Sequence, residues 1–80
     1  MDDLEAAYGV LWAVLPPGWD VARPVEHVEN GYWVSYARDP HWHKGTATPP
    51  YVEAIGPTEP LAIVELARCI TEVLAGRVPK

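Results

Sequence analysis

The stretch Asp39-Pro40-His41-Trp42-His43-Lys44-Gly45 sets two of the three histidines of an 80-residue chain on either side of a tryptophan, with a lysine following. On an extended segment, residues i and i+2 point the same way, so the imidazoles of His41 and His43 could meet one metal ion. Structural zinc takes four protein ligands, and catalytic zinc usually three plus a water. Asp39 and His27 are the donors that could complete such a set, but no spacing ties them to the pair. Cys69 falls in mid-helix, where a free cysteine is usually buried. No metal or other cofactor is therefore expected. A second chemistry fits the same residues: Trp42 offers a ring for stacking, while Arg38, His41, His43 and Lys44 form a cationic edge that could meet phosphates. The competing role for Trp42 is that of a lid folded over the edge of a sheet.

Nucleophilic or acid–base catalysis finds less support. Histidine can act as a base, and Ser35, Cys69 or a threonine as a nucleophile. Yet the chain has no Gly-x-Ser-x-Gly elbow, no glycine-rich phosphate loop and no evident pair of carboxylates flanking a cleft. Glu5, Glu26, Glu29, Glu53 and Glu65 read as solvated faces. The expectation is a protein that is not an enzyme.

The elements that must carry these residues follow from periodicity. In residues 2–15, Leu4, Tyr8, Leu11 and Leu15 recur at helical spacing, with Ala7, Trp12 and Val14 widening the stripe. Asp2 followed by Glu5 has the form of a capping box. Gly9 lies inside this helix, where it would allow another backbone to approach. Pro16-Pro17-Gly18 ends the helix. Residues 19–38 switch to a period of two around Asn30-Gly31, a strong hairpin signal. A two-residue turn there sets Glu29 opposite Tyr32, Val28 opposite Trp33 and His27 opposite Val34. One strand face then carries Val21, Val25, His27, Tyr32, Val34 and Tyr36 and is the better core candidate. The other carries Pro24, Glu26, Val28, Trp33, Ser35 and Ala37, leaving Val28 and Trp33 as an exposed apolar strip suited to a protein partner. Pro24 places its strand at a sheet edge or at a bulge.

Residues 39–50 form a long loop, of a length that is often functional. Residues 51–55 read as a third strand. Thr58 is a good N-cap, Pro60 suits a first helical turn, and Gly76 signals the end of a helix over 59–75. Its stripe is Ile63, Leu66, Ala67, Ile70 and Leu74. The chain is thus a single α+β domain over 1–80, ordered α-β-β-β-α, with a three-stranded antiparallel meander packed with two helices. The helices could share one face of the sheet or cover both.

Composition narrows the function classes. A domain of this size buries only about 60–65% of its unfolded surface, so its core is thin and a partner copy would help it. One cysteine excludes an intrachain disulfide and fits a reducing, cytoplasmic setting. The N-terminus has no basic stretch leading an apolar run, which argues against a signal peptide. No apolar run approaches the roughly 20 residues that cross a bilayer. Six basic residues stand against eleven acidic ones, a net charge of −5, which argues against nucleic acid and anionic membranes as partners. Four Trp and four Tyr with no Phe favour half-buried, amphipathic surfaces.

The helix followed by "LPPGWDV" (residues 15–21), a Gly-Tyr-Trp hairpin and "EAIGPTEPLAIVELARCITEVL" (residues 53–74) resembles the phage ABA-sandwich domain, small phage and prophage proteins mostly of unknown function. The resemblance spans almost the whole chain through short motifs and carries over no catalytic residue. The 39–50 loop with its two histidines departs from the pattern. A comparison with double-stranded-RNA-binding domains fails on charge, because Thr58-Glu59-Pro60 and Glu65 stand where those domains place lysines. The resemblance implies a phage accessory protein in the host cytoplasm. Joined to the aromatic, cationic loop, it leads to a counter-defence function by binding, with Arg38, His41, Trp42, His43 and Lys44 holding a nucleotide-type host signal in a homo-oligomer. The alternative is a host defence protein bound through Val28 and Trp33; a metal-dependent hydrolase is a third reading.

Overall fold

The computed structural model describes residues 3–46 and 48–76. Five elements follow in the order α1 (Leu4–Val14), β1 (Asp20–His27), β2 (Tyr32–Arg38), β3 (Tyr51–Gly56) and α2 (Glu59–Leu74). This is the α+β, α-β-β-β-α plan read from the sequence. The strands form one antiparallel sheet in the order β1-β2-β3.

Local chemistry explains each boundary. Asp3 is the N-cap of α1, its carboxylate accepting from the Glu5 backbone N–H at 3.0 Å. The expected capping box on Asp2 is thus replaced by a cap one residue later; Asp2 itself lies outside the described residues. Thr58 caps α2 as expected, accepting from Leu61 N at 3.3 Å, with Pro60 in the first turn. Gly76 follows the C-cap with φ +82°.

The hairpin turn is longer than expected. Residues 28–31 form a four-residue connection in which the His27 carbonyl accepts from Asn30 N at 3.1 Å and Gly31 N at 2.9 Å. A two-residue type I′ turn needs positive φ at both central residues. Only Gly31, at φ +70°, provides it. His27 therefore pairs with Tyr32, on which it stacks with ring centroids 4.9 Å apart, and Glu26 rather than Val28 pairs with Trp33.

β1 is an edge strand, and its register shifts between Ala22 and Val25, around Pro24. Both readings of Pro24 hold, since a residue without an N–H suits an edge and a bulge alike. The shift also moves Val21 to the other face, where it pairs with Ala37 and packs against the core.

The core lies on the sheet face opposite to the expected one. Ser35, Ala37, Val52 and Ala54 are buried beneath the helices, while Val25, Tyr36, Tyr51 and Ile55 are exposed on the other side. Both helices thus sit on one side. α2 packs on β3 and β2, and α1 packs on α2. α2 brings its own volume through Ile63, Leu66 and Ile70, all fully buried, over strand residues that are mostly small. The closest approach is at Gly56, where a Cβ would lie 2.6 Å from the Ala62 backbone nitrogen. Ser35, fully buried, donates from Oγ to the Ala62 carbonyl at 2.9 Å. α1 contributes Ala7 and Leu11 to this core, with Tyr8, Val14, Leu15 and Trp19 packed around them. Leu4 and Trp12, placed in the α1 stripe by spacing, are exposed. Gly9 meets no other backbone.

Candidate functional site

The uncovered sheet face is built by strand alternation, which sends every second side chain away from the helices. Strand register arranges it in rows. Asp20 pairs with Arg38, and Arg38 with Tyr51; Ala22 pairs with Tyr36, and Tyr36 with Glu53; Val25 pairs with Val34, and Val34 with Ile55. An aliphatic row thus crosses the middle of the sheet, and an aromatic and charged pair of rows lies beside it, toward the 39–50 loop.

Between β2 and β3 these charged rows enclose an open cleft of about 320 Å³ lined by Tyr36, Arg38, Tyr51 and Glu53. A second cleft of about 310 Å³ adjoins it over β1, lined by Asp20, Val21, Ala22, Tyr36 and Arg38. Tyr36 and Arg38 border both. The Arg38 guanidinium lies 3.6 Å from the Asp20 carboxylate, with both side chains well exposed. Such a solvent-facing pair holds little energy and can open for a ligand. Among the described residues, Glu53 makes no side-chain hydrogen bond or ion pair. The cleft therefore presents two phenol rings for stacking, one cation and one unengaged acceptor.

The loop is not extended. Asp39 Oδ1 accepts from His41 N at 3.0 Å and the Asp39 carbonyl accepts from Trp42 N at 3.2 Å, closing one turn. The His43 carbonyl accepts from Thr46 N at 3.0 Å, closing a second. The same-side argument for His41 and His43 therefore does not apply. His41 lies beside Gly18, in the α1–β1 turn, and His43 Nδ1 sits 3.1 Å from the Lys44 carbonyl. Among the described residues no group of three or more His, Cys, Asp or Glu is arranged to hold a metal ion. Trp42 Nε1 donates to the Thr48 carbonyl at 2.7 Å, pinning the ring across its own loop, with its indole partly exposed.

Of the residues singled out by sequence, Arg38 stands in the cleft, while His41, Trp42, His43 and Lys44 are exposed on the adjoining loop. Val28 and Trp33 are not brought together. Val28 sits in the hairpin turn, 80% exposed, and Trp33 is half-buried on the helix side of the sheet, opposite Glu26 and Gly56. Tyr36, Tyr51 and Glu53 were missed as a set. Their signal was the i, i+2 spacing of Tyr36 with Arg38 and of Tyr51 with Glu53, hidden because Tyr36 was assigned to the core.

Elsewhere, Glu65 and Arg68 form an exposed ion pair on α2, with Arg68 Nε donating to Glu65 Oε1 at 2.8 Å. That hydrogen bond holds the Glu65 carboxyl below its ordinary range. Burial pushes the Cys69 thiol above its ordinary value, so it is a poor nucleophile at neutral pH. No helix among the described residues is long and apolar enough to cross a membrane. No family model, curated protein or solved structure matches this chain.

Proposed function

We propose that this protein acts by binding rather than catalysis, as an accessory protein of the kind made by phages, and that it sequesters a nucleotide-type ligand in the host cytoplasm. The observation that carries this reading is the cleft on the uncovered sheet face, where Tyr36 and Tyr51 flank Arg38 and Glu53. Planar rings stack on phenol faces, and a guanidinium meets phosphate. The 39–50 loop, with Trp42, His41, His43 and Lys44, joins the two strands that carry the cleft, and its residues do not line it. A cleft this open buries a small ligand poorly on one chain, and a second copy laid over the face would close it, which is the place of a homo-oligomer in this reading.

The test is thermal shift with a broad nucleotide panel, joined to solution mass with and without ligand. The expected result is a raised melting temperature with some nucleotide, lost in Tyr36→Ala and in Tyr51→Ala. Tyr51 is 57% and Tyr36 39% exposed, and circular dichroism of each variant checks that the fold is kept. A panel without any shift ends the nucleotide reading.

A second reading, a host protein as partner, rests on the aliphatic row Val25, Val34 and Ile55. Exposed apolar side chains in contiguous array mark protein contacts. It is recognised by a single stoichiometric partner that is lost with Val25→Asp and retained by Tyr51→Ala.

A further inference from the structure

Resting on the nucleotide reading, we infer that the cleft selects a guanine base carrying a single phosphate charge, with Glu53 reading the base edge and Arg38 meeting the phosphate. An ionised carboxylate only accepts hydrogen bonds, so it selects a ligand edge made of donors. Guanine presents two adjacent donors, its ring N–H and its exocyclic amino group. Adenine and cytosine present one amino donor beside a ring acceptor, and uracil one N–H between two carbonyls. Each of these would set an acceptor against the Glu53 carboxylate. Glu53 is exposed, is cross-strand neighbour to Tyr36, and has no side-chain partner among the described residues, so its oxygens are available to a ring lying on the tyrosines.

Charge limits the other end of the ligand. Among the described residues Arg38 is the only cation lining either cleft, and Asp20 lies 3.6 Å from it. The chain as a whole carries −5. One shared guanidinium can balance one phosphate monoanion or phosphodiester. It cannot balance a triphosphate, which this acidic surface would repel.

Titration calorimetry on the full chain with the 3′,5′-cyclic monophosphates of guanosine and adenosine, each a singly charged phosphodiester, and with guanosine triphosphate tests both halves. The guanine monophosphate is expected to bind about tenfold or more tightly than the adenine one, the scale of one charge-assisted hydrogen bond. Guanosine triphosphate is expected to bind no more tightly than the monophosphate. Glu53→Gln, a near-isosteric change at an exposed position, turns the edge into one donor beside one acceptor. It is expected to remove the guanine preference and improve adenine binding. Equal or better binding of adenine in the unaltered protein overturns the base assignment and leaves the nucleotide reading standing, as does a guanine preference that survives Glu53→Gln. Markedly tighter triphosphate binding overturns the charge assignment. Absence of binding by all three overturns this inference, whereas the nucleotide reading falls only if the broad panel also fails.

Discussion

Ser35 and Ala62 join the sheet to α2 by a buried hydrogen bond of 2.9 Å from the serine hydroxyl to the helix carbonyl. Beside it, Gly56 leaves no room for a Cβ against the backbone of the same residue, Ala62. Ser35→Ala should cost about 1 kcal/mol, the net worth of a neutral hydrogen bond. Gly56→Ala should cost more, about 2 kcal/mol or above, because backbone atoms must move apart. Urea unfolding of the two variants orders these costs. The reverse order would mean that the close approach is not the constraint described.

The two faces of α1 should respond unequally to truncation. Leu11 is fully buried and its neighbour Trp12 is 55% exposed, stacked on Tyr8 at 5.7 Å. Leu11→Ala is expected to lose about 2–5 kcal/mol, a large part of the stability of a small domain. Trp12→Ala is expected to lose about 1 kcal/mol or less. Melting curves followed by circular dichroism separate the two outcomes.

The Glu65–Arg68 pair predicts a specific pH dependence. The carboxyl is held below its ordinary value of 4.5 in the folded chain, so its contribution is present above pH 4.5 and fades as pH falls through the depressed folded value. Glu65→Gln should therefore melt slightly below the parent at pH 7, and the two should converge in acid. The difference is small, because the pair is exposed to water. A difference that grew on acidification would contradict the assignment.

Cys69 is buried and its thiol is harder to ionise than usual. An aromatic disulfide reagent at pH 7.5 should label it slowly in the native protein and fully after denaturation. Rapid native labelling would indicate that α2 opens readily from the sheet.

The inverted sheet face and the unforeseen cleft share one cause. Alternation sorted the hairpin residues correctly into two sets, apart from Val21, which the bulge at Pro24 transfers, and Val28, which lies in the turn. It did not say which set the helices cover. Bulk favours Val25, Tyr32, Val34 and Tyr36 as core, yet α2 already carries Ile63, Leu66 and Ile70 and lies over strand residues that are mostly small. Ser35, Ala37, Ala54 and Gly56 form most of that seat, with Val52 buried and Trp33 half-buried beside them, while Val25, Tyr36, Tyr51 and Ile55 face water. The cleft was hidden by the same inversion, since Tyr36 was placed inside. Cross-strand neighbours such as Tyr36 and Glu53 depend on β2–β3 register, which the long 39–50 loop leaves open.

Local sequence determined the element order, the Thr58 cap, the breaks at Pro16-Pro17-Gly18 and Gly76, and the bulge at Pro24, because each depends on a few neighbouring residues and their backbone preferences. Tertiary structure alone decided which sheet face is buried, that α2 covers it with α1 packed on α2, and that Tyr36, Arg38, Tyr51 and Glu53 line one cleft. Those outcomes depend on how side-chain volumes on separate elements fit together, a quantity that no single stretch of the chain contains.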